Sequence, residues 1–290
     1  MPPHVGGRWG LLVALVVTFL LGSVFGLAMA GTAEGPTSAQ AEAAGPPRYS
    51  EAVLGDQPAA YWRLDDSANG GANDASAHGQ IGVLIGGVVA GVPSPIAGAT
   101  AMAFDGNNSS IKDTLSLTVG PDFTEEAWVK ASPGASGPVV SVDAGDQRTR
   151  MLYVDQSQFW GRQDNGQNWP ASAVVSGDLD PTTWHHVVFV SQGSATLTLY
   201  VDGAQSGTAS VAPTDVPFTA IAALGASTSA TWMGRFAGTL ANVALYPEAL
   251  SAAQVQAHYQ AALSAGCGRS LPAAVAGSLP GSVLTAAFCR

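Results

Sequence analysis

Short runs of apolar or alternating residues, each bounded by Gly, Asn, Asp or Pro, fill the chain from Tyr49 to about Ala262. The runs AAYWRL, QIGVLIGGVV, ATAMAFDG, FTEEAWVK, GPVVSVDAG, RMLYVD, QFWGRQ, WHHVVFVSQ, ATLTLYVDG, TAIAALGAS and GTLANVALY each have the length of a strand and turn-forming flanks. Many short strands without helical periods between them predict an all-β antiparallel sandwich or barrel. One segment departs from the pattern. SAAQVQAHYQAAL, Ser251 to Leu263, opens on a serine suited to capping and spaces Val255, Tyr259 and Leu263 at helical intervals, which predicts one short helix closing the domain.

The ends follow other rules. Leu11 to Ala30 is an uncharged apolar run that finishes in Ala28-Met29-Ala30, the small-x-small form at which export signals are cleaved. A run of roughly 20 residues also suffices to cross a bilayer as an uncleaved anchor. Residues 1–30 are therefore a signal peptide or an N-terminal membrane anchor, and both place the rest of the protein outside the cytoplasm. Residues 31–48, small, polar and proline-bearing, predict a flexible linker ahead of a domain at 49–263. The tail, 264–290, holds the chain's two cysteines, Cys267 and Cys289. In an exported chain such a pair predicts a disulfide, the alternative being two unpaired thiols.

Composition sharpens this picture in two ways. The 35 glycines and 18 prolines, with plentiful Val, Thr and Ser, favour strands joined by turns. Only 11% of residues are charged and the formal net charge is -10, a balance that repels phosphate backbones and excludes nucleic acid as a partner.

Seven stretches also fall in the order of a known family. YSEAVLGDQPAAYWRLDD, DASAHGQIG, AFDG, FTEEAWVK, WHHVVFV, LTLYVDG and GRFAGTLANVALYPEALSAAQVQAHY, spanning residues 49 to 262, together resemble the laminin G-like, concanavalin A-like lectin/glucanase jelly-roll domains of bacterial extracellular proteins. The resemblance implies a jelly roll of two antiparallel sheets, with Trp62 and Trp128 buried, and with Glu126 and the Trp-His-His-Val run belonging to the sheet. It further implies a calcium ion at one rim, held by hard oxygen ligands, for which Asp66 and Asp74 match the family's acids. Ala241 and Asn242 stand where two further acids would be, which removes carboxylates from that set.

Several residues invite chemistry. His185 and His186 are adjacent, so on a strand they point to opposite faces and cannot chelate one ion together. Glu125 with Glu126 and Asp65 with Asp66 fail as glycosidase pairs for the same reason, while Asp178 and Asp180 fall in a turn. Carbohydrate recognition needs an aromatic platform among amide and carboxylate groups. The stretch DQSQFWGRQDNGQNWPAS supplies Trp160, Asn165, Asn168 and Trp169, with Trp232 on another loop. Trp169 is the expected stacking residue and Trp160 the expected core residue. The function expected is a non-catalytic extracellular module that binds carbohydrate or another surface ligand. The alternative is a structural or adhesive module whose partner is a cell-surface protein, and hydrolysis is disfavoured by the missing acid pair. Oligomeric state and ligand identity are not written in these patterns.

Overall fold

The computed structural model describes residues 48–66, 71–165, 172–213, 216–228 and 233–267. In chain order these form α1 (Tyr49–Gly55), β1 (Ala60–Trp62), β2 (Gly82–Ile85), β3 (Val89–Pro93), β4 (Thr100–Asp105), β5 (Ser110–Val119), β6 (Phe123–Ala131) and β7 (Ser136–Asp143). They continue as β8 (Arg148–Asp155), β9 (Gln158–Asn165), β10 (Ser172–Val175), β11 (His185–Gln192), β12 (Thr196–Val201), β13 (Ala204–Ser210), β14 (Phe218–Leu224), β15 (Ala237–Tyr246) and α2 (Ala252–Cys267). All pairings are antiparallel, in two sheets. Sheet A runs β13-β12-β11-β6-β15-β4-β3, with β1 added to β15; sheet B runs β10-β9-β8-β7-β14-β5-β2. The chain crosses repeatedly between the sheets, which makes the two-sheet jelly-roll sandwich that the pattern predicted.

Two apolar layers result from strict side-chain alternation. Between the sheets lie Phe123, Leu152, Phe159, Val187, Phe189, Leu199 and Leu240. A second layer sits on the far side of sheet A, where Trp128, Val188 and Tyr246 are covered by Tyr49 and Val53 of α1 and Val255 of α2. One face of sheet A is therefore core and the other is roofed by helices. This doubly covered position explains why β6 and β15 are buried along nearly their whole length.

The structure corrects the sequence expectation at several points. The described residues hold two helices rather than one, because YSEAVLG forms α1. α2 starts as expected, with Ser251 Oγ accepting from Gln254 N at 3.3 Å while Gln254 Oε1 accepts from Ser251 N at 2.9 Å, a reciprocal cap. It extends to Cys267, and Leu263 is 48% exposed, so the buried strip turns instead through His258, which is 1% exposed. The run QIGVLIGGVV is two strands in different sheets. The chain turns between them at Gly86, where φ is +67° and a Cβ would lie 2.3 Å from the Asn108 carbonyl oxygen. Strands β5, β10 and β13 were not anticipated. The apolar run Leu11–Ala30, all of the 31–48 linker but Arg48, most of the tail and the Cys267–Cys289 pairing lie outside the described residues. No described helix is long and apolar enough to cross a membrane.

Candidate functional site

Adjacent residues on β6 and β11 part company as strand geometry requires. On β11, His185 turns inward with Val187 and Phe189, its ring 6.0 Å from Phe159, while its Nδ1 lies 2.8 Å from Asp202 Oδ2. That carboxylate holds the His185 imidazolium above the usual histidine range, against the opposing effect of burial. His186 turns outward, under the helices. There it meets Glu126, whose carboxylate is fully buried and accepts from four side chains. Oε1 receives Tyr49 Oη at 2.7 Å and His186 Nε2 at 2.7 Å; Oε2 receives Tyr246 Oη at 2.7 Å and His258 Nδ1 at 3.0 Å.

His258 Nε2 lies 3.1 Å from Asp56 Oδ2, an ion-pair distance without hydrogen-bond alignment. Burial works against the charge on Glu126, but His258 and the hydrogen bonds from His186 and His258 outweigh it, and its pKa falls well below the usual range. Burial likewise opposes the charge on His258, and Glu126 with Asp56 overcomes it, raising its pKa. Glu126 is thus a fixed charge that staples both helices to sheet A. It has no open side on which to meet a substrate.

Glu125 points the other way, into the sandwich. It is fully buried, burial raises its pKa well above the usual range, and Arg150 counters this only in part. Arg150, also 0% exposed, is itself pushed down to about 10 by burial. The two adjacent glutamates therefore lie on opposite sides of one sheet and cannot flank one glycosidic bond.

The outer face of sheet B is built differently. On β9, Phe159, Gly161 and Gln163 point inward, and Gly161 is required there: a Cβ would stand 2.1 Å from the Phe189 ring. Trp160, Arg162 and Asp164 consequently project outward, half-buried. Across the strands Trp160 pairs with Tyr153 and Val175, and Arg162 pairs with Met151 and Ala173. The indole N–H of Trp160 is covered and has no partner among the described residues. Arg162 Nη1 reaches Met233 Sδ at 3.7 Å, which brings the segment after β14 over the same patch. That segment is anchored by Asp143 Oδ2, which accepts from Ser227 Oγ at 3.0 Å and Thr228 N at 2.7 Å. Partial burial weakens the Arg162 charge and Asp164 supports it.

Trp160 was expected in the core and stands instead on the outer face, because Phe159 and Gly161 occupy the inward positions. Asn165 ends β9, while Asn168, Trp169 and Trp232 lie outside the described residues. Arg162 and Asp164 belong to the polar stretch around Trp160 that the sequence pointed to, whereas Tyr153, brought beside Trp160 by the pairing of β8 with β9, was not anticipated.

At the rim, Asp74 is saturated by protein donors. Its Oδ1 accepts from Tyr61 N at 2.9 Å, Ser76 N at 2.8 Å and Ser76 Oγ at 2.6 Å, and its Oδ2 accepts from His78 N at 3.1 Å and Gln80 N at 3.0 Å. Asp66 binds Asn73 through N at 3.0 Å and Nδ2 at 2.6 Å. Ala241 and Asn242 lie in a bulge of β15, where Asn242 adopts φ 51° and its Oδ1 accepts from Tyr61 Oη at 2.7 Å. Among the described residues no three His, Cys, Asp or Glu side chains are grouped to hold a metal ion.

Comparison with known proteins places this architecture. The model of the concanavalin A-like lectin/glucanases superfamily matches residues 105–256. The binding domain of Paraclostridial Mosquitocidal Protein 1 superposes with a TM-score of 0.56 at 14% identity, over 72% of this chain and 53% of that one. Domain 4 of AbnA, a GH43 extracellular arabinanase from Geobacillus stearothermophilus solved with arabinotriose, gives 0.55 at 16% identity, over 70% and 98%. The binding domain of botulinum neurotoxin DC, solved with SialylT, gives 0.52 at 11% identity, over 71% and 52%. The chain spans about half the length of these toxin domains. At such identities the likeness is one of fold. No curated protein matches the chain.

Proposed function

The chain belongs to the concanavalin A-like lectin/glucanases superfamily, and from that premise we propose that it is an extracytoplasmic, non-catalytic module that binds carbohydrate on the outer face of sheet B. One observation carries the proposal. The outer face of sheet A is closed by α1 and α2, whereas sheet B presents Trp160 beside Tyr153, with Arg162 and Asp164 at successive outward positions. An indole offers its π-face to the C–H side of a sugar ring. A guanidinium donates and a carboxylate accepts, so the pair can bracket vicinal hydroxyls while remaining electrically balanced, which favours an uncharged sugar. Support also comes from the fold's neighbours, among them a domain crystallised with arabinotriose and one with SialylT. The apolar run Leu11–Ala30 would deliver the module across a membrane, as a cleaved signal or a retained anchor.

A second reading, contact with a protein, has its own support. The edge strand β2 and its approach expose Ile81, Val83 and Ile85 in alternation, and Leu115 is exposed on the neighbouring strand β5. A glycan array followed by calorimetry on the purified chain decides between them. The carbohydrate reading expects at least one neutral glycan to bind and Trp160→Ala to weaken it about tenfold or more, the loss of one stacking contact and its hydrogen bonds. An array on which nothing binds, or a Trp160→Ala protein that binds as well as the parent, sinks it.

A further inference from the structure

A cleft of about 670 Å³ opens between the end of α1, the 76–80 turn, β5 and Pro247. Its size falls within the roughly 300–1,000 Å³ of small-molecule sites. One side is apolar, formed by Leu54, Pro58, Leu117 and Pro247; the other carries Gln57, Ser76, His78, Gln80 and Thr118. Among the described residues no Asp, Glu, Lys or Arg lines the cleft, which disfavours a charged ligand.

The polar wall is held rigid before any ligand arrives. Asp74 fixes the turn through its five accepted hydrogen bonds. Gln80 is 8% exposed and its side-chain amide faces the Asp113 carboxyl, so the amide is assigned with its nitrogen donating there; burial raises that carboxyl to about 6. Hydrogen-bond direction then sets what His78 can do. Ser76 donates its hydroxyl proton to Asp74, so toward the ring atom His78 Nδ1, 3.1 Å away, the same oxygen acts as acceptor. With Nδ1–H committed to Ser76, the Nε2 lone pair of the exposed His78 is left as an acceptor.

We propose that this cleft is a second binding site, for an uncharged sugar unit: His78 Nε2 accepts from a ring hydroxyl, Gln57 and Thr118 exchange hydrogen bonds with others, and Leu54 with Pro247 covers the C–H face. The proposal extends the reading of the chain as a carbohydrate-binding module and places its second contact away from Trp160. A chain with two such sites would gain avidity on polymeric glycans.

Methyl and indole NMR on the full chain tests it, using a panel of neutral trisaccharides of arabinose, xylose, glucose and galactose, with trigalacturonate as the acidic probe. At least one neutral sugar is expected to shift the Leu54 and Leu117 methyls, and Trp160→Ala is expected to leave those shifts in place. Thr118→Trp, at an exposed strand position that tolerates an aromatic, should fill the cleft and abolish them. His78→Ala should weaken them about fivefold to tenfold, the loss of one hydrogen bond. Shifts at the Trp160 indole with still Leu54 and Leu117 methyls overturn the second site and leave the first intact. Stillness at both overturns both, and equal methyl shifts with trigalacturonate overturn the uncharged ligand.

Discussion

Replacing Glu126 with glutamine removes one charge from the centre of the helical roof and leaves its shape nearly unchanged. The wild-type carboxylate accepts from Tyr49, Tyr246, His186 and His258 at 2.7 to 3.0 Å. A glutamine keeps one acceptor oxygen and turns an NH₂ toward donors on the other side, so about half of these bonds are lost, and His258 faces Asp56 alone. Charged hydrogen bonds contribute about 1.5–3 kcal/mol each, and removing one partner of a buried ion pair costs about 3–5 kcal/mol. A loss of about 3–5 kcal/mol is expected, which for a domain of this size lowers Tm by roughly 6–20 °C.

The pH dependence of that loss is the more searching measurement. Glu126 has a folded pKa below its ordinary 4.5, so its contribution is complete above that value and fades as pH falls through the lowered one. His258 has a folded pKa above its ordinary 6.5, so its contribution is complete below 6.5 and fades as pH rises through the raised one. The wild-type network is therefore strongest between these limits. In Glu126→Gln the acid arm vanishes and the alkaline arm shrinks to what Asp56 supplies. Calorimetric melts across this range should show the gap between the two proteins widest near pH 5–6 and narrowing toward pH 9. A variant melting within about 2 °C of the parent near pH 6, or a gap that stays constant to pH 9, would refute the assignment of a buried charge balanced by His258.

Two further outcomes follow from particular contacts. Gly161→Ala places a methyl 2.1 Å from the Phe189 ring, and urea unfolding should show a stability loss of about 1–3 kcal/mol; an unchanged midpoint would mean the two sheets are not pressed together there. Because Asp74 already accepts five hydrogen bonds from the protein, adding calcium to chelator-treated protein should move Tm by less than about 1 °C, whereas a larger rise would require Asp66 and Asp74 to exchange those donors for an ion.

Strands whose buried face alternates without interruption were the most legible in the sequence. WHHVVFVSQ and ATLTLYVDG alternate because β11 and β12 each face the core, and they pair as expected, from Val187 with Val201 to Gln192 with Thr196. AQSGTAS, the edge strand β13, has no fully buried residue and therefore no apolar alternation to read. β5 loses its alternation where its pairing with β14 shifts register between Ile221 and Ala223. YSEAVLG is too short for helical periodicity, and α1 is held by Tyr49 and Val53 against a sheet far along the chain. The network around Glu126 was hidden for the same reason: its partners lie 60 to 132 residues away, and no local pattern joins them.

The location of these hidden partners bears on where ligand chemistry can reside. Glu126, Trp128, His186, Tyr246 and His258 all gather on one side of sheet A, beneath helices that exclude solvent. A buried carboxylate needs donors from four separate elements, so it constrains α1, β6, β11, β15 and α2 together, and its residues mark the fold strongly while lying away from solvent. Trp160 and Arg162 on sheet B, and His78 on the 76–80 turn, carry no comparable burden. Exchanging them changes the surface and leaves the sandwich standing, which is why their chemistry can vary on this scaffold and why motifs that identify the fold do not identify what it binds. The division predicts a measurable separation: substitutions around Glu126 should move Tm while leaving glycan affinity at permissive temperature within about twofold, and Trp160→Ala should do the reverse. A Glu126→Gln protein that folds yet loses glycan binding would show that the two faces of the sandwich are coupled.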